Sequence, residues 1–137
     1  MNERLPNFKD KILLKKITDA TEGLVYISET DAAVKPFAAR SLHVHDIREA
    51  IELEAGDRSI AEFSVREFFS RLTTVRDHFG PVENERARRF AELETLLRHN
   101  LRDLSGFRVG RIQVDLFIVG LDREENVIGI TTKAVET

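Results

Sequence analysis

Apolar and polar residues alternate along the C-terminal part of the chain, from residue 107 to residue 120. Positions spaced two apart share one face of an extended strand, and the apolar ones here are Ile112, Val114, Leu116 and Ile118. Phe117 and Val119 make the opposite face apolar as well. A strand that is apolar on both faces needs cover from both sides, so the pattern predicts a strand inside a sheet.

A polar segment, residues 121–126, separates this run from a second apolar run that begins at Val127. The segment is too short for a crossover helix, so we expect the two runs to pair as an antiparallel hairpin. The predicted fold class is therefore α+β, with a mainly antiparallel sheet and the C-terminal hairpin at its centre.

Apolar residues at helical spacing predict helices at about 8–22, 47–54 and 82–104, with a two-turn helix after Ser64. Asp46 with Glu49, and Ser64 with Glu67, have the spacing of capping boxes. The pattern also predicts a short strand at 24–27 and a loop or irregular strand at 30–42. Phe68 and Phe69 belong to the apolar stripe of the two-turn helix and are expected in the core.

Length and composition limit the classes of protein that the chain can represent. A chain of 137 residues is expected to form a single domain, residues 1–137. It has no cysteine, no apolar run long enough for a membrane span and no signal-peptide pattern, so we expect a cytoplasmic protein. The formal net charge of −3 argues against direct nucleic-acid binding and suits a basic protein partner.

Charged residues of the long predicted helix are balanced, which indicates a solvated face with pairs such as Glu85–Arg89 and Glu94–Arg98. Asp115 lies within the apolar strand, and we expect it to pair with a basic residue or a backbone donor.

Catalytic patterns are weak. The sequence has no cysteine nucleophile, no glycine-rich phosphate loop and no nucleophile elbow. His43 and His45 have the spacing to share one face of a strand and bind a metal, but no third ligand follows at a convincing distance. We therefore expect neither an enzyme nor a cofactor-binding protein, and keep a small enzyme or metal protein that uses His43, His45 and nearby acids as an open alternative.

Several short segments together resemble a known family. They are Gly23-Leu24, Ser28-Glu29, Phe68-Phe69-Ser70-Arg71-x-Thr73-Thr74, Glu83-Asn84, Phe90, Leu97, Asn100-Leu101, Val114-Asp115, Ile118-Val119-Gly120, Gly129-Ile130 and Thr132-Lys133-x-Val135-Glu136-Thr137. The chain resembles the nuclease A inhibitor (NuiA-like) family, continuously from residue 68 to residue 137 and in patches before that.

The resemblance implies an α-β-α sandwich with the topology of plant PR-1 proteins. It also implies a monomer that binds and inhibits a sugar-non-specific, Mg²⁺-dependent nuclease in a one-to-one complex. Family members enter the nuclease groove at three places, and these match Glu29, the pair Asp77-His78, and Thr137. By this resemblance the carboxylates of the inhibitor take the place of substrate phosphate.

The chain departs from the family pattern at two places. His78 stands where the family has a tryptophan, and the segment between residues 30 and 63 is shorter than in the family. Tryptophan is enriched at interface hot spots, so its loss weakens binding or indicates another target. A protein-interaction module on the same fold, with a partner that is not a nuclease, is therefore the main alternative.

Overall fold

The computed structural model describes residues 8–39 and 46–136, and in these ranges it contains four helices and seven strands. In chain order they are α1 (Phe8–Thr21), β1 (Val25–Ile27), β2 (Asp31–Ala33), β3 (Lys35–Ala38), α2 (Ile47–Ala55), β4 (Ile60–Phe63), α3 (Val65–Thr73), α4 (Pro81–Asn100), β5 (Arg102–Val109), β6 (Gln113–Leu121) and β7 (Val127–Val135). Within these ranges, none of the helices combines the length and the apolar character needed to cross a bilayer.

The main sheet has five antiparallel strands in the order β3-β7-β6-β5-β4, while β1 and β2 form a separate two-stranded hairpin. The predicted C-terminal hairpin is confirmed: β6 pairs with β7 from Gln113↔Val135 to Leu121↔Val127, and β6 is the middle strand. The polar turn between them is closed by Asp122, whose Oδ1 accepts hydrogen bonds from the backbone N–H groups of Glu124 and Asn126 at 2.8 and 2.9 Å.

Helices cover both faces of this sheet, as the apolar pattern of β6 predicts. One face carries Val114, Leu116 and Ile118, which are buried together with residues of α1, α3 and α4. The other face carries Phe117 and Val119, which are buried with residues of α2. The fold is thus a mixed α+β arrangement with two hydrophobic cores, one on each side of the sheet.

The predicted helix starts are confirmed at two capping residues. The side chain of Asp46 accepts a hydrogen bond from Glu49 N at 3.2 Å, and Ser64 Oγ accepts one from Glu67 N at 3.1 Å. Each cap satisfies a backbone donor that the first helical turn leaves without an internal partner. Phe68 and Phe69 of α3 are buried in the core, as expected.

The end of the long helix was predicted wrongly. The apolar stripe predicted a helix to residue 104, but α4 ends at Asn100, and β5 starts at Arg102 and pairs with β6. Leu101 already has extended backbone angles, φ −125° and ψ 142°. Leu101 and Leu104 still pack against the core that α4 contacts, so their apolar character fits a strand as well as a helix.

One further expectation needs correction. Ile112 was placed on the buried face of one continuous strand, but it lies in the turn between β5 and β6 and is 62% exposed. Gly110 makes this turn possible, because its φ of +99° lies in a region that only glycine adopts readily. The segment 30–42, expected to be a loop or irregular strand, contains β2 and β3 in its described part, residues 30–39.

Ion pairs follow the prediction in part. Arg98 pairs with Glu94 at 2.9 Å as expected. The predicted Glu85–Arg89 pair is wrong, because Glu85 instead binds Arg88 at 2.6 Å. Arg89 donates from Nη2 to the backbone carbonyl of Ala20 at 2.8 Å, which ties α4 to the end of α1.

Candidate functional site

Glu29 lies at the apex of the tight turn between β1 and β2, and it is exposed. The turn is closed by its neighbours. Ser28 donates to the carbonyl of Thr30 both from its backbone N–H at 3.2 Å and from its hydroxyl at 2.9 Å. Because Ile27 and Asp31 pair on either side, the turn has only three residues and gives Glu29 a short, well-defined support.

This turn is attached to the end of β7. The backbone N–H of Val135 donates to Ser28 Oγ at 3.3 Å, and the N–H of the next residue, Glu136, donates to the carbonyl of Ile112 at 2.8 Å. Three segments therefore meet at one end of the sheet: the turn that carries Glu29, the β5–β6 turn, and the residues that immediately precede Thr137. Thr137 itself lies outside the described residues.

Glu136 is also bound through its side chain. Arg108 of β5 donates from Nη2 to Oε2 of Glu136 at 3.0 Å, and Nε of Arg108 lies 2.9 Å from Oε1. Only the first contact has hydrogen-bond geometry, because the buried Nε does not direct its hydrogen at the carboxylate. The guanidinium group also lies 5.6 Å from the ring centre of Phe63. The pair is partly shielded, with the two side chains 34% and 37% exposed.

Asp77 and His78 lie on a different loop, between α3 and α4, and both are exposed. Phe79 N donates to the carbonyl of Arg76 at 3.0 Å, and the His78 and Phe79 rings meet edge to face at 5.1 Å. Gly80 N donates to the side chain of Glu83 at 3.1 Å, which fixes the start of α4. The loop is therefore held by its own turn and by the first turn of α4.

The two helices beside this loop contact the segment that leads to Glu29. Phe68 of α3 stacks on Tyr26 of β1 at 5.5 Å, and α4 reaches the end of α1 through Arg89. The structure thus brings the Glu29 turn together with the residues before Thr137. Among the described residues, Asp77 and His78 are connected to that turn through the packed helices α3 and α4.

Exposed aliphatic residues neighbour the Glu29 turn, the Asp77–His78 loop and the end of β7. Ile27 precedes the Glu29 turn and is 48% exposed, and Ile112 bonds to Glu136 through its carbonyl. Val75 and Val82, 61% and 67% exposed, lie on either side of Asp77 and His78. The exposed position of Ile112 could have been predicted from Gly110, two residues earlier, because a glycine inside a strand pattern indicates a turn or bulge.

Metal binding has no support among the residues that the structure describes, since no three His, Cys, Asp or Glu side chains there are grouped as metal ligands would be. His43 and His45 lie outside the described residues.

A comparison with protein-family models matches the chain to the model for nuclease A inhibitor-like proteins over residues 11–137. The chain belongs to the nuclease A inhibitor-like family. A search of curated proteins found no match.

Family membership indicates a protein that inhibits a nuclease and whose partner is therefore another protein. The match extends from α1 to Thr137 and includes Glu29, Asp77 and His78. In this nuclease A inhibitor-like protein Glu29 and Asp77 are exposed carboxylates, a group that accepts hydrogen bonds and carries negative charge.

Proposed function

We propose that this protein inhibits a sugar-non-specific, Mg²⁺-dependent nuclease by filling its active-site groove with carboxylates. The family match over residues 11–137 carries the proposal. The exposed position of Glu29, at the apex of a turn bonded to the end of β7, supports the choice of this residue as the main contact.

The mechanism follows from what such a groove binds. A nuclease holds the phosphate oxygens of its substrate next to a divalent metal ion. A carboxylate presents two oxygens of similar charge, so Glu29 would occupy the phosphate position and face the metal directly or through its water. Thr137, which follows Glu136, would add further acceptor oxygens close by. The metal belongs to the nuclease, and the inhibitor needs no cofactor of its own.

The Asp77–His78 loop would make the second contact. Asp77 would pair with an arginine or lysine of the nucleic-acid groove, since ionised donors and acceptors form the stronger hydrogen bonds. His78 takes the position of the family tryptophan and would set which nuclease is bound. Val75 and Val82 beside this loop provide exposed apolar area of the kind that proteins bury on association.

The net charge of −3 would accelerate the encounter with a basic groove and make association sensitive to salt. We propose a monomeric cytoplasmic inhibitor that forms a one-to-one complex. For the fold we propose the α-β-α sandwich with PR-1-like topology, which agrees with helices on both faces of the sheet.

The direct test is a titration against purified Mg²⁺-dependent nucleases that measures cleavage and the dissociation constant. We expect Glu29→Gln to raise the dissociation constant of the inhibited nuclease at least tenfold, equivalent to about 1.4 kcal/mol. Glu52→Gln is the matched control, because it removes the same charge from exposed α2 on the other side of the sheet. An unchanged value for Glu29→Gln would reject its assigned role.

Failure to inhibit any such nuclease would favour the alternative of an interaction module with another partner. Isolation of complexes from the host would then show a stable partner without nuclease activity.

A further inference from the structure

Ser28 attaches the Glu29 turn to the end of β7, and Arg108 attaches the end of β7 to β5. Ser28 precedes Glu29, and its hydroxyl accepts a hydrogen bond from Val135 N at 3.3 Å. Arg108 belongs to β5, yet it binds the side chain of Glu136, the last residue before Thr137. Both residues therefore contact the end of β7.

We infer that Ser28 and Arg108 are positioning residues of the inhibitor, which hold the Glu29 turn and Glu136 in one fixed arrangement before the partner arrives. The inference rests on the proposed function, because it assigns a binding role to residues behind the contact surface. It adds that neither residue needs to touch the nuclease. Their effect comes from preorganisation, since a segment that is already ordered loses less conformational freedom on binding.

Geometry gives each residue a distinct task. Ser28 Oγ bonds within its own turn, as donor to the carbonyl of Thr30 and acceptor from Thr30 N, while it also accepts from Val135. The hydroxyl thus fixes the turn and attaches it to β7 at the same time. Arg108 donates one hydrogen bond to Glu136 and forms an ion pair with it, which restricts rotation of the Glu136 side chain.

Arg102 provides a matched control for a purely structural role. It lies at the opposite end of the same strand and also binds acidic side chains, Glu125 at 2.7 Å and Asp103 at 3.1 Å. Arg102→Gln removes one charge and one ion-pair group, as Arg108→Gln does. The melting temperatures of both variants identify any general loss of stability.

The test for Arg108 is a double-mutant cycle with Glu136→Gln, which removes the carboxylate that Arg108 binds. We expect Arg108→Gln to raise the dissociation constant of the nuclease about tenfold, and Arg102→Gln to leave it within about twofold. In the Glu136→Gln protein Arg108→Gln should have little further effect, because the carboxylate that Arg108 binds is gone. Independent effects of the two changes, or an equal effect of Arg102→Gln, would overturn the inference.

The test for Ser28 uses conservative replacement. Ser28→Ala removes the hydroxyl that reaches Val135, and we expect it to raise the dissociation constant about tenfold. Ser28→Thr keeps a hydroxyl and should restore binding to within about twofold of the wild type. Ser70→Ala, at an exposed serine of α3, is the control for the loss of a hydroxyl. Equal weakening by Ser28→Ala and Ser28→Thr would contradict the inference.

Amide hydrogen exchange, measured on the inhibitor alone, distinguishes the positioning role of Arg108 from the proposed inhibition of a nuclease. The amide of Glu136 bonds to the carbonyl of Ile112, and we expect Arg108→Gln to accelerate its exchange about tenfold while Arg102→Gln does not. Unchanged exchange would reject the positioning role even if Glu29→Gln abolishes inhibition. A wild-type protein that binds no nuclease would reject the proposed function and, with it, the role of both residues in binding.

Discussion

Lys133 and Asp115 lie directly opposite each other on β7 and β6, and Nζ of Lys133 donates to Oδ1 of Asp115 at 2.7 Å. Arg58, which follows α2, donates to the other oxygen at 2.7 Å. Partial burial raises the pKa of the Asp115 carboxyl, but the hydrogen bonds from Lys133 and Arg58 outweigh it and hold the pKa below its usual value. The sequence expectation that Asp115 pairs with a basic residue is confirmed.

This arrangement predicts a pH-dependent contribution to stability. A carboxyl with a lowered pKa in the folded state stabilises the fold above its unfolded pKa, near 3.8, and loses that contribution as pH falls through the folded value. We expect Asp115→Asn to lower the free energy of unfolding by about 1 kcal/mol at pH 7, since both cations are largely exposed. Urea unfolding should show this difference shrinking below about pH 3.8.

Asp103→Asn is the control for Asp115→Asn. Asp103 pairs with Arg102 at the surface and has φ +56°, a conformation that asparagine tolerates, so its effect should be small at every pH. Equal destabilisation by Asp115→Asn at pH 7 and pH 3 would contradict the assigned contribution.

We expect replacement of Gly129 by alanine to destabilise the protein more than the same replacement at Gly56. A Cβ added there would overlap the carbonyl oxygen of Ile118 on the neighbouring strand, so Gly129→Ala must displace backbone in the middle of the sheet. We expect a loss of about 3 kcal/mol in the free energy of unfolding, at the upper end of overpacking.

Gly56→Ala serves as the comparison. A Cβ added at Gly56 would meet no other atom within 4 Å, so the cost of alanine there comes from the positive φ of +59° and should be about 1 kcal/mol. Thermal and urea unfolding of the two variants measure the difference. A Gly129→Ala protein as stable as Gly56→Ala would contradict the prediction, because the sheet would then accommodate the added methyl group without an extra loss of stability.

Ser64 is expected to stabilise the start of α3. Ser64→Ala removes the acceptor for Glu67 N and should destabilise the protein by about 1 kcal/mol in urea unfolding. Ser70→Ala, at an exposed position inside the same helix, should be neutral or slightly stabilising because alanine is the better helix former. Similar losses for the two variants would mean that the cap contributes nothing measurable.

His78 provides a test of partner recognition. His78→Trp introduces the residue type most enriched at interface hot spots, at an exposed site beside Asp77. We expect the dissociation constant of the inhibited nuclease to fall at least fivefold, which corresponds to about 1 kcal/mol, mainly through slower dissociation. Surface plasmon resonance measures both rates.

His99→Trp is the control for this gain. His99 is exposed near the far end of α4, away from the loop that carries His78. A comparable gain from His99→Trp would indicate non-specific adhesion of tryptophan rather than restored recognition.

Much of the fold follows from local patterns in the sequence. Capping by Asp46 and Ser64 located α2 and α3, because a side-chain acceptor three residues before a backbone donor is a local arrangement. Alternation in β6 predicted cover on both faces. In contrast, β3 and β4 are short strands. They pair with β7 and β5, which lie far away in the sequence, so the residues around β3 and β4 do not reveal the pairing.

The errors have related causes. Leu101 and Leu104 fit a helical stripe, but the backbone is already extended at Leu101, and β5 pairs with β6 from Arg102↔Leu121 and, after an irregularity, from Ser105↔Val119. Ile112 fits the alternation of β6, but the positive φ of Gly110 ends β5 before it. Apolar spacing alone does not reveal where the chain reverses.

The sequence identifies the residues of the candidate site one by one, but it does not show which of them lie close together. Glu29 and the residues before Thr137 are more than a hundred positions apart in the chain, and their proximity depends on the bond between Ser28 and Val135, 107 positions apart. Local sequence patterns carry no information on such a contact. The resemblance to the family named Glu29, Asp77, His78 and Thr137, and their roles in binding stay a prediction.

The strand order has a consequence for biosynthesis. β3 forms its sheet contacts with β7, and the hydroxyl of Thr132 reaches the carbonyl of Ala33 across 99 positions of the chain. A nascent chain on the ribosome therefore carries β3 without its neighbour until β7 has been translated. The sheet cannot close before then, so closure of the long loop should limit the speed of folding, and premature termination before β7 should leave a product open to aggregation and proteolysis.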